Sequence, residues 1–228
     1  YIQGKNFNIV EERKRNSKPF PEIVEYSESC WHCIHPDFMK DQLELSLQRL
    51  QLDRLDVYLL HNPEYFFLHA MKNEDAELTA IREEFYTRIK QAFIYFERAV
   101  KAGQISWYGV SSNSFGYESQ TYEFVSVENL LSIAKQASKI INSDENLHHF
   151  STAQAPMNLY EADILIQQNQ MNDSCSFLSF CRDNHIGVVI NRPLNAFYNN
   201  KLHRMVDYQT FQTHDHKQQI LLDIQNVS

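Results

Sequence analysis

His61 stands at the end of residues 55–60, a nearly unbroken apolar run of strand length, and Pro63 stops the run two positions later. In β/α architectures the carboxyl ends of strands are where chemistry is built, so an imidazole there is a candidate proton donor or carbonyl polariser. The competing reading is a satisfied core histidine, the common fate of a lone His beside an apolar run. Ser111, Ser112 and Gln154 fall at or near the ends of two further apolar runs, and Asn191-Arg192-Pro193-Leu194 closes a fourth. These positions also suit strand-to-helix turns, which favour Ser and Asn.

A second constellation is Cys30-Trp31-His32-Cys33-Ile34-His35, which is superficially zinc-like. Six consecutive residues do not easily converge on one ion, and Cys175 and Cys181 are far along the chain. A thioredoxin-type motif needs a strand before it and a helix after it, whereas PFPEIVEYSES at 19–29 is at best a weak strand. The segment reads as a loop entering a helix at Pro36, with Trp31 available to line a substrate pocket; no metal site is expected. Five glycines leave no G-x-G-x-x-G or Walker loop, and neither G-x-S-x-G nor H-E-x-x-H occurs.

The elements that must carry these residues alternate. Strands are expected at Leu55–His61, Ile105–Ser111, 152–158 and Gly187–Asn191. The first should be a parallel strand covered on both faces. Ile81, Phe85, Ile89, Phe93, Phe96 and Val100 step by three and four, as do Val127, Leu130, Leu131, Ala134 and Ala137 after the N-cap candidate Ser126. Leu43, Leu47 and Leu50 mark a helix before the first strand, and Phe177, Leu178 and Cys181 another before the last. Such alternation predicts parallel strands joined by right-handed crossovers. Residues 1–35, 62–79 and 113–125 read as irregular, and KQQILLDIQNV near the end as helical.

With 228 residues and 43% apolar and aromatic content, the chain suffices for one core, and residues 1–228 are read as a single domain. A net charge of −8 argues against nucleic-acid binding, which needs clustered Lys and Arg. The mixed-charge EERKRNSK at 11–18 reads as a solvated loop. No apolar run is long enough for a membrane span. Four cysteines suit a reducing compartment, so a cytoplasmic location is expected.

Ser46 to Glu64, SLQRLQLDRLDVYLLHNPE, resembles the aldo-keto reductase pattern SL-x-RL-x-x-D-x-x-DLYL-x-H. Three later segments agree in order: AVKAGQISWYGVSSN at 99–113, FSTAQAPMNLYE at 150–161 and CRDNHIGVVINRPLNA at 181–196. The resemblance runs from about Pro36 to Ala196. It implies an α/β fold of the (β/α)8 TIM-barrel type, incomplete in this chain, with strands resembling the fourth to seventh. A chain opening on Tyr1, in a polar segment, is consistent with a piece of a longer protein.

The resemblance also implies a reaction: hydride transfer between a nicotinamide dinucleotide, NADP or else NAD, and the carbonyl of a small aldehyde or ketone. His61 would polarise that carbonyl. Ser111, Ser112 and Gln154 would hold the nicotinamide carboxamide, although Ser112 replaces the family's asparagine and Asn113 follows. Asn191, Arg192 and Leu194 would lie near ring and phosphates. Asn191 replaces a stacking tyrosine. Arg192 suits a pyrophosphate or, equally, a neighbouring carboxylate. The family's Asp, Tyr and Lys belong to strands that precede Tyr1, so no residue here takes their roles. The alternative is a non-catalytic nucleotide-binding or regulatory protein on the same fold. The oligomeric state is left open.

Overall fold

A computed structural model describes residues 2–4, 6–71, 77–198 and 201–206. Helix α1 (Asn6–Arg15) is followed by an antiparallel hairpin of β1 (Val24–Ser27) and β2 (Cys30–His32), and then by α2 (Pro36–Leu50). Strand β3 (Leu55–His61) leads through α3 (Tyr65–Ala70) and α4 (Leu78–Lys101) to β4 (Ile105–Ser111). Helix α5 (Val127–Asn142) precedes β5 (Phe150–Pro156). A short helix α6 (Asp163–Ile166), a ribbon of β6 (Gln168–Gln170) and β7 (Cys175–Ser176), and α7 (Phe177–Asp183) lead to β8 (Gly187–Asn191). A second hairpin, β9 (Asn195–Tyr198) with β10 (Lys201–Arg204), follows.

β3, β4, β5 and β8 form one parallel sheet in that order, each joined to the next by a connection containing helix. Local chemistry sets the helix ends. The Ser126 hydroxyl accepts the Asn129 N–H at 3.2 Å to cap α5, and Pro36 opens α2, where a missing N–H costs nothing. β5 ends at Pro156 rather than residue 158, because the Asn158 side chain folds into a turn. Its Oδ1 accepts the N–H groups of Tyr160 and Glu161, at 2.9 and 3.0 Å.

Helix α4 covers one face of the sheet. Phe93 meets Tyr108 at 5.0 Å and Phe150 at 5.6 Å between ring centres, and Phe96 meets Tyr58 at 5.7 Å. Burying each ring contributes about 2–3 kcal/mol. Beneath these rings Glu97 is fully buried and fully engaged. It accepts from Tyr108 Oη (2.9 Å), the His149 backbone N–H (2.9 Å) and Asn142 Nδ2 (3.0 Å), and pairs with His149 Nδ1 at 2.8 Å. One carboxylate thus ties α4 to the starts of β4 and β5.

The expectation that residues 55–60 are covered on both faces is not met. Val57 is 41% exposed and its register partner Trp107 is 47% exposed. Alternation along a strand gives Tyr58 and Leu60 to the helices and leaves Val57, Leu59 and His61 on the other face, where the described residues supply no covering helix. Two of the three segments read as irregular contain regular structure. Residues 1–35 hold α1 and the β1–β2 hairpin, so EERKRNSK is largely helical and Cys30 to His32 is a strand rather than a loop. Its charges are used locally: Arg13 pairs with Asp41 at 2.7 Å and covers the Phe20 ring. Residues 62–79 contain α3, whose Phe66 and Phe67 are buried. The helix expected at KQQILLDIQNV lies outside the described residues.

Candidate active site

Toward their carboxyl ends the strands are in step: His61 and Ser111, the last residues of β3 and β4, pair with each other, and Ser111 pairs with Gln154, two residues before the end of β5, which pairs with Val189. Neighbouring strands lie about 4.8 Å apart, so His61, Ser111 and Gln154 form a row roughly 10 Å long. The row lies on the face away from α4, since Tyr58, Tyr108 and Phe150 occupy the helix side. Gly109 makes this spacing possible. A Cβ there would sit 1.9 Å from the Thr152 carbonyl oxygen, at the irregularity in the β4–β5 register between Tyr108 and Gly109.

His61 is held from below. The buried His32 on β2 donates Nε2–H to the His61 carbonyl oxygen at 2.7 Å; a carbonyl can only accept, which fixes the His32 tautomer. Burial drives His32 down to about 4, against the opposing effect of that hydrogen bond. Burial also lowers His61, so its imidazole is neutral at pH 7 and able to donate one N–H to an oxygen without first losing a proton.

Ser111 donates its hydroxyl to Gln154 Oε1 at 2.8 Å. That leaves serine lone pairs beside the Gln154 Nε2 donors, a set complementary to a primary carboxamide. Ser112 is used differently. Its buried hydroxyl pairs with Ser114 Oγ at 3.0 Å and accepts the Ser114 N–H at 3.2 Å, the local turn chemistry that competed with a binding role. Asn113 is tied to Glu64, whose Oε1 accepts its backbone N–H at 2.9 Å and its Nδ2 at 3.4 Å.

Past β8, Arg192 sits in the left-handed region at φ 55° and donates Nη2 to Glu161 Oε1 at 2.6 Å. Of the two partners weighed for this guanidinium, a carboxylate is the one in place. Asn191 carries a buried Oδ1 with no hydrogen-bond donor, and Leu194 is exposed. A cavity of about 580 Å³ opens between these loops, lined by Glu64, Asn113 and Arg192 among others. His61, Ser111, Ser112, Gln154, Asn191 and Leu194 stand outside its lining. Trp31 is not part of it either: its ring meets Phe7 at 5.0 Å, with Lys14 at 5.1 Å. Among the described residues no three His, Cys, Asp or Glu side chains gather as a metal-holding group, and no helix is long and apolar enough to cross a membrane.

A model of the aldo/keto reductase family matches residues 27–227. The chain belongs to this family. A curated relative, aldo-keto reductase family 1 member C21 of Rattus norvegicus, is 36% identical over 55 residues, which is 24% of this chain and 17% of that protein. Among solved structures, the glycerol dehydrogenase AKR11B4 of Gluconobacter oxydans aligns at 16% identity and a TM-score of 0.40, over 74% of this chain and 37% of its own. An aldo/keto reductase of Klebsiella pneumoniae in complex with NADP and acetate aligns at 20% identity and a TM-score of 0.36, over 68% of this chain and 38% of its own. The aldose reductase of Giardia lamblia aligns at 19% identity and a TM-score of 0.38, over 72% of this chain and 43% of its own. The chain thus spans less than half the length of each of these relatives.

In this aldo/keto reductase chain, sequence reasoning missed three residues beside the row: His32, Glu64 and Glu161. His32 was weighed only as a metal ligand. Glu64 had a usable signal, being a lone acid set against an apolar helix start, YFFLHA, directly after Pro63. Tyr65, beside Glu64, lines the cavity and stacks on Tyr26 at 4.2 Å.

Proposed function

We propose that the intact protein reduces the carbonyl of a small aldehyde or ketone by hydride transfer from NADPH, with NADH as the other candidate. The observation that carries this is the row of His61, Ser111 and Gln154, in register on three adjacent strands and on one face of the sheet, with His61 and Ser111 the last residues of their strands and Gln154 two residues before the end of its own. When bound, the dinucleotide supplies the hydride. Ser111 and Gln154 present an acceptor and donors that fit its carboxamide. His61, kept neutral by burial, donates an N–H to the carbonyl oxygen and stabilises the charge that develops there. Ser112, Asn191, Arg192 and Leu194 would lie near ring and phosphates. For Arg192 that role requires Glu161 to be displaced or to share it.

The sheet is read as the fourth to seventh strands of a (β/α)8 barrel, within a single domain of a cytoplasmic protein. On this reading Val57 and Trp107 face the barrel interior, which accounts for their exposure on a sheet taken by itself. A nucleotide-binding protein without turnover is the second reading. It is favoured by Asn191, which has no ring to stack, and by an Arg192 already neutralised by Glu161.

The test is made on the intact protein. His61→Ala should lower kcat with an aldehyde by about a hundredfold or more while leaving NADPH affinity, followed by nucleotide fluorescence, within a few fold. Lost NADPH affinity with unchanged turnover at saturation would sink the assignment. A parent protein that binds NADPH and turns over no carbonyl would support the second reading.

A further inference from the structure

The peptide that joins His61 to Asn62 is held at both of its polar atoms. Its carbonyl oxygen, on His61, accepts the Nε2–H of His32 at 2.7 Å. Its N–H, on Asn62, donates to the Ser111 carbonyl oxygen, also at 2.7 Å. One partner belongs to the β1–β2 hairpin and the other to β4. A trans peptide is planar, with its C=O and N–H pointing in opposite directions, so the two bonds together fix ψ of His61 and φ of Asn62. The rotamers open to the His61 imidazole depend in turn on ψ. Asn62 adds a reason for such a hold, because it sits in the left-handed region at φ 47°. Asn tolerates that region better than most residues, yet right-handed backbone is lower in energy. Rotating the 61–62 peptide by half a turn would release Asn62 from it. The same rotation would swing the carbonyl away from His32 and the N–H away from Ser111, so the two hydrogen bonds oppose it.

We propose that His32 is a positioning residue for the reduction: acting through the His61 backbone alone, it holds the 61–62 peptide plane and thereby keeps the His61 imidazole aimed at the carbonyl oxygen of the substrate. The effect on turnover rests on the reductase reading above; the clamp on the peptide does not. A bond that only satisfied two buried polar groups would contribute to stability and leave kcat alone. A clamp acts on the alignment of reacting atoms, where an error of about 1 Å costs about a hundredfold in rate.

His32 is itself held in place, as a clamp requires. It is only 4% exposed, and its ring meets Tyr65 edge-on at 5.9 Å. Strand β2 is secured on both sides. Trp31 exchanges both backbone hydrogen bonds with Ile2, at 2.8 and 3.1 Å, and His32 pairs with Val24 of β1. Just beyond the strand, Cys33 Sγ donates to the Pro21 carbonyl at 3.4 Å. The donor is thus fixed before any ligand arrives, which is the condition for positioning a group without a cost at the moment of reaction.

The experiment uses the intact protein, NADPH and 4-nitrobenzaldehyde. His32→Gln places an amide Nε2–H at nearly the reach of the imidazole Nε2. His32→Asn carries the same group one carbon short, and His32→Leu has no donor. The Leu and Asn variants should lower kcat about tenfold or more, with NADPH affinity within about threefold of the parent. His32→Gln should restore kcat to within about threefold. The second readout needs neither nucleotide nor turnover. It is amide hydrogen exchange at Asn62, measured relative to Ser112, whose N–H is bonded to the Gln154 carbonyl at 3.0 Å. Exchange at Asn62 should quicken about tenfold in the Leu and Asn variants and return to the parent rate in His32→Gln. All three variants lack the imidazole, so the contrast among them isolates the donor. Should His32→Leu fail to fold, the Asn and Gln variants decide. Unchanged kcat, unchanged protection of Asn62, or losses that His32→Gln does not repair would overturn the proposal. Asn62 exchange that follows this pattern in a protein that reduces no carbonyl would overturn the reductase reading alone and leave the clamp standing.

Discussion

His32 and His61 lie on different sheets, yet the buried Nε2–H of His32 donates to the His61 backbone carbonyl at 2.7 Å. The bond caps the edge strand of the parallel sheet at the residue expected to meet the substrate. It also links the β1–β2 hairpin to the strand end, so the position of His61 depends on a segment remote in sequence.

This bond should make stability pH-dependent. Burial lowers His32 from its ordinary 6.5 to about 4. Between those values the unfolded chain binds a proton that the folded chain does not, so the His32 contribution is present above pH 6.5 and is lost as pH falls toward 4. The gap corresponds to about 3 kcal/mol. His32→Gln keeps a donor for the carbonyl and removes the titration. In urea unfolding, the stability of the parent relative to this variant should fall by that order between pH 7 and pH 4. A difference that stays constant across the range would show that His32 does not titrate as described.

Gly109 sets the distance between β4 and β5. Because a Cβ there would meet the Thr152 backbone oxygen at 1.9 Å, Gly109→Ala must push two backbones apart rather than displace a side chain. The expected loss is about 3 kcal/mol or more, a size reserved for core overpacking and backbone strain. Ser111 is two residues on, so its 2.8 Å bond to Gln154 should loosen as well. Chemical denaturation of parent and variant checks the first effect, and nicotinamide binding the second. A variant of unchanged stability would mean that the strands are not held this closely.

How much of this was legible in the sequence differs from element to element. The four parallel strands were, because apolar runs bounded by Gly, Pro and polar residues leave few alternatives, and three of the four carry the expected bounds. Ser126 was readable as a cap since its role is local. His61 and Ser111 were legible as strand-end residues from their positions in those runs, whereas Gln154, third in the expected 152–158, lies two residues before the end of β5. Register across strands did not, for it depends on non-local pairing and on the irregularity at Gly109. The β1–β2 hairpin was hidden because its residues carry no two-residue Asn-Gly or Asp-Gly turn and alternate weakly. Glu64 and Glu161 escaped because a buried acid looks like a surface acid until its neighbours in space are known.

Glu64 supplies a pH dependence of the opposite sign. Burial raises it from 4.5 to about 7, despite hydrogen bonds from Asn113, from its own backbone N–H and from the Ser112 hydroxyl that favour its ionised form. Within that window the folded chain keeps a proton that the unfolded chain has released. Stability is therefore highest below pH 4.5 as far as this group is concerned, and falls as pH rises to 7. Glu64→Gln should match the parent near pH 4.5 and exceed it by about 3 kcal/mol at pH 8. Across pH 4.5 to 6.5 the slopes from Glu64 and His32 oppose each other, so the parent should show a flatter profile than either variant. Thermal or urea unfolding of the parent and both single variants over this range makes the comparison. A Glu64→Gln variant less stable than the parent at pH 8 would mean that the hydrogen bonds to the ionised carboxylate outweigh its desolvation.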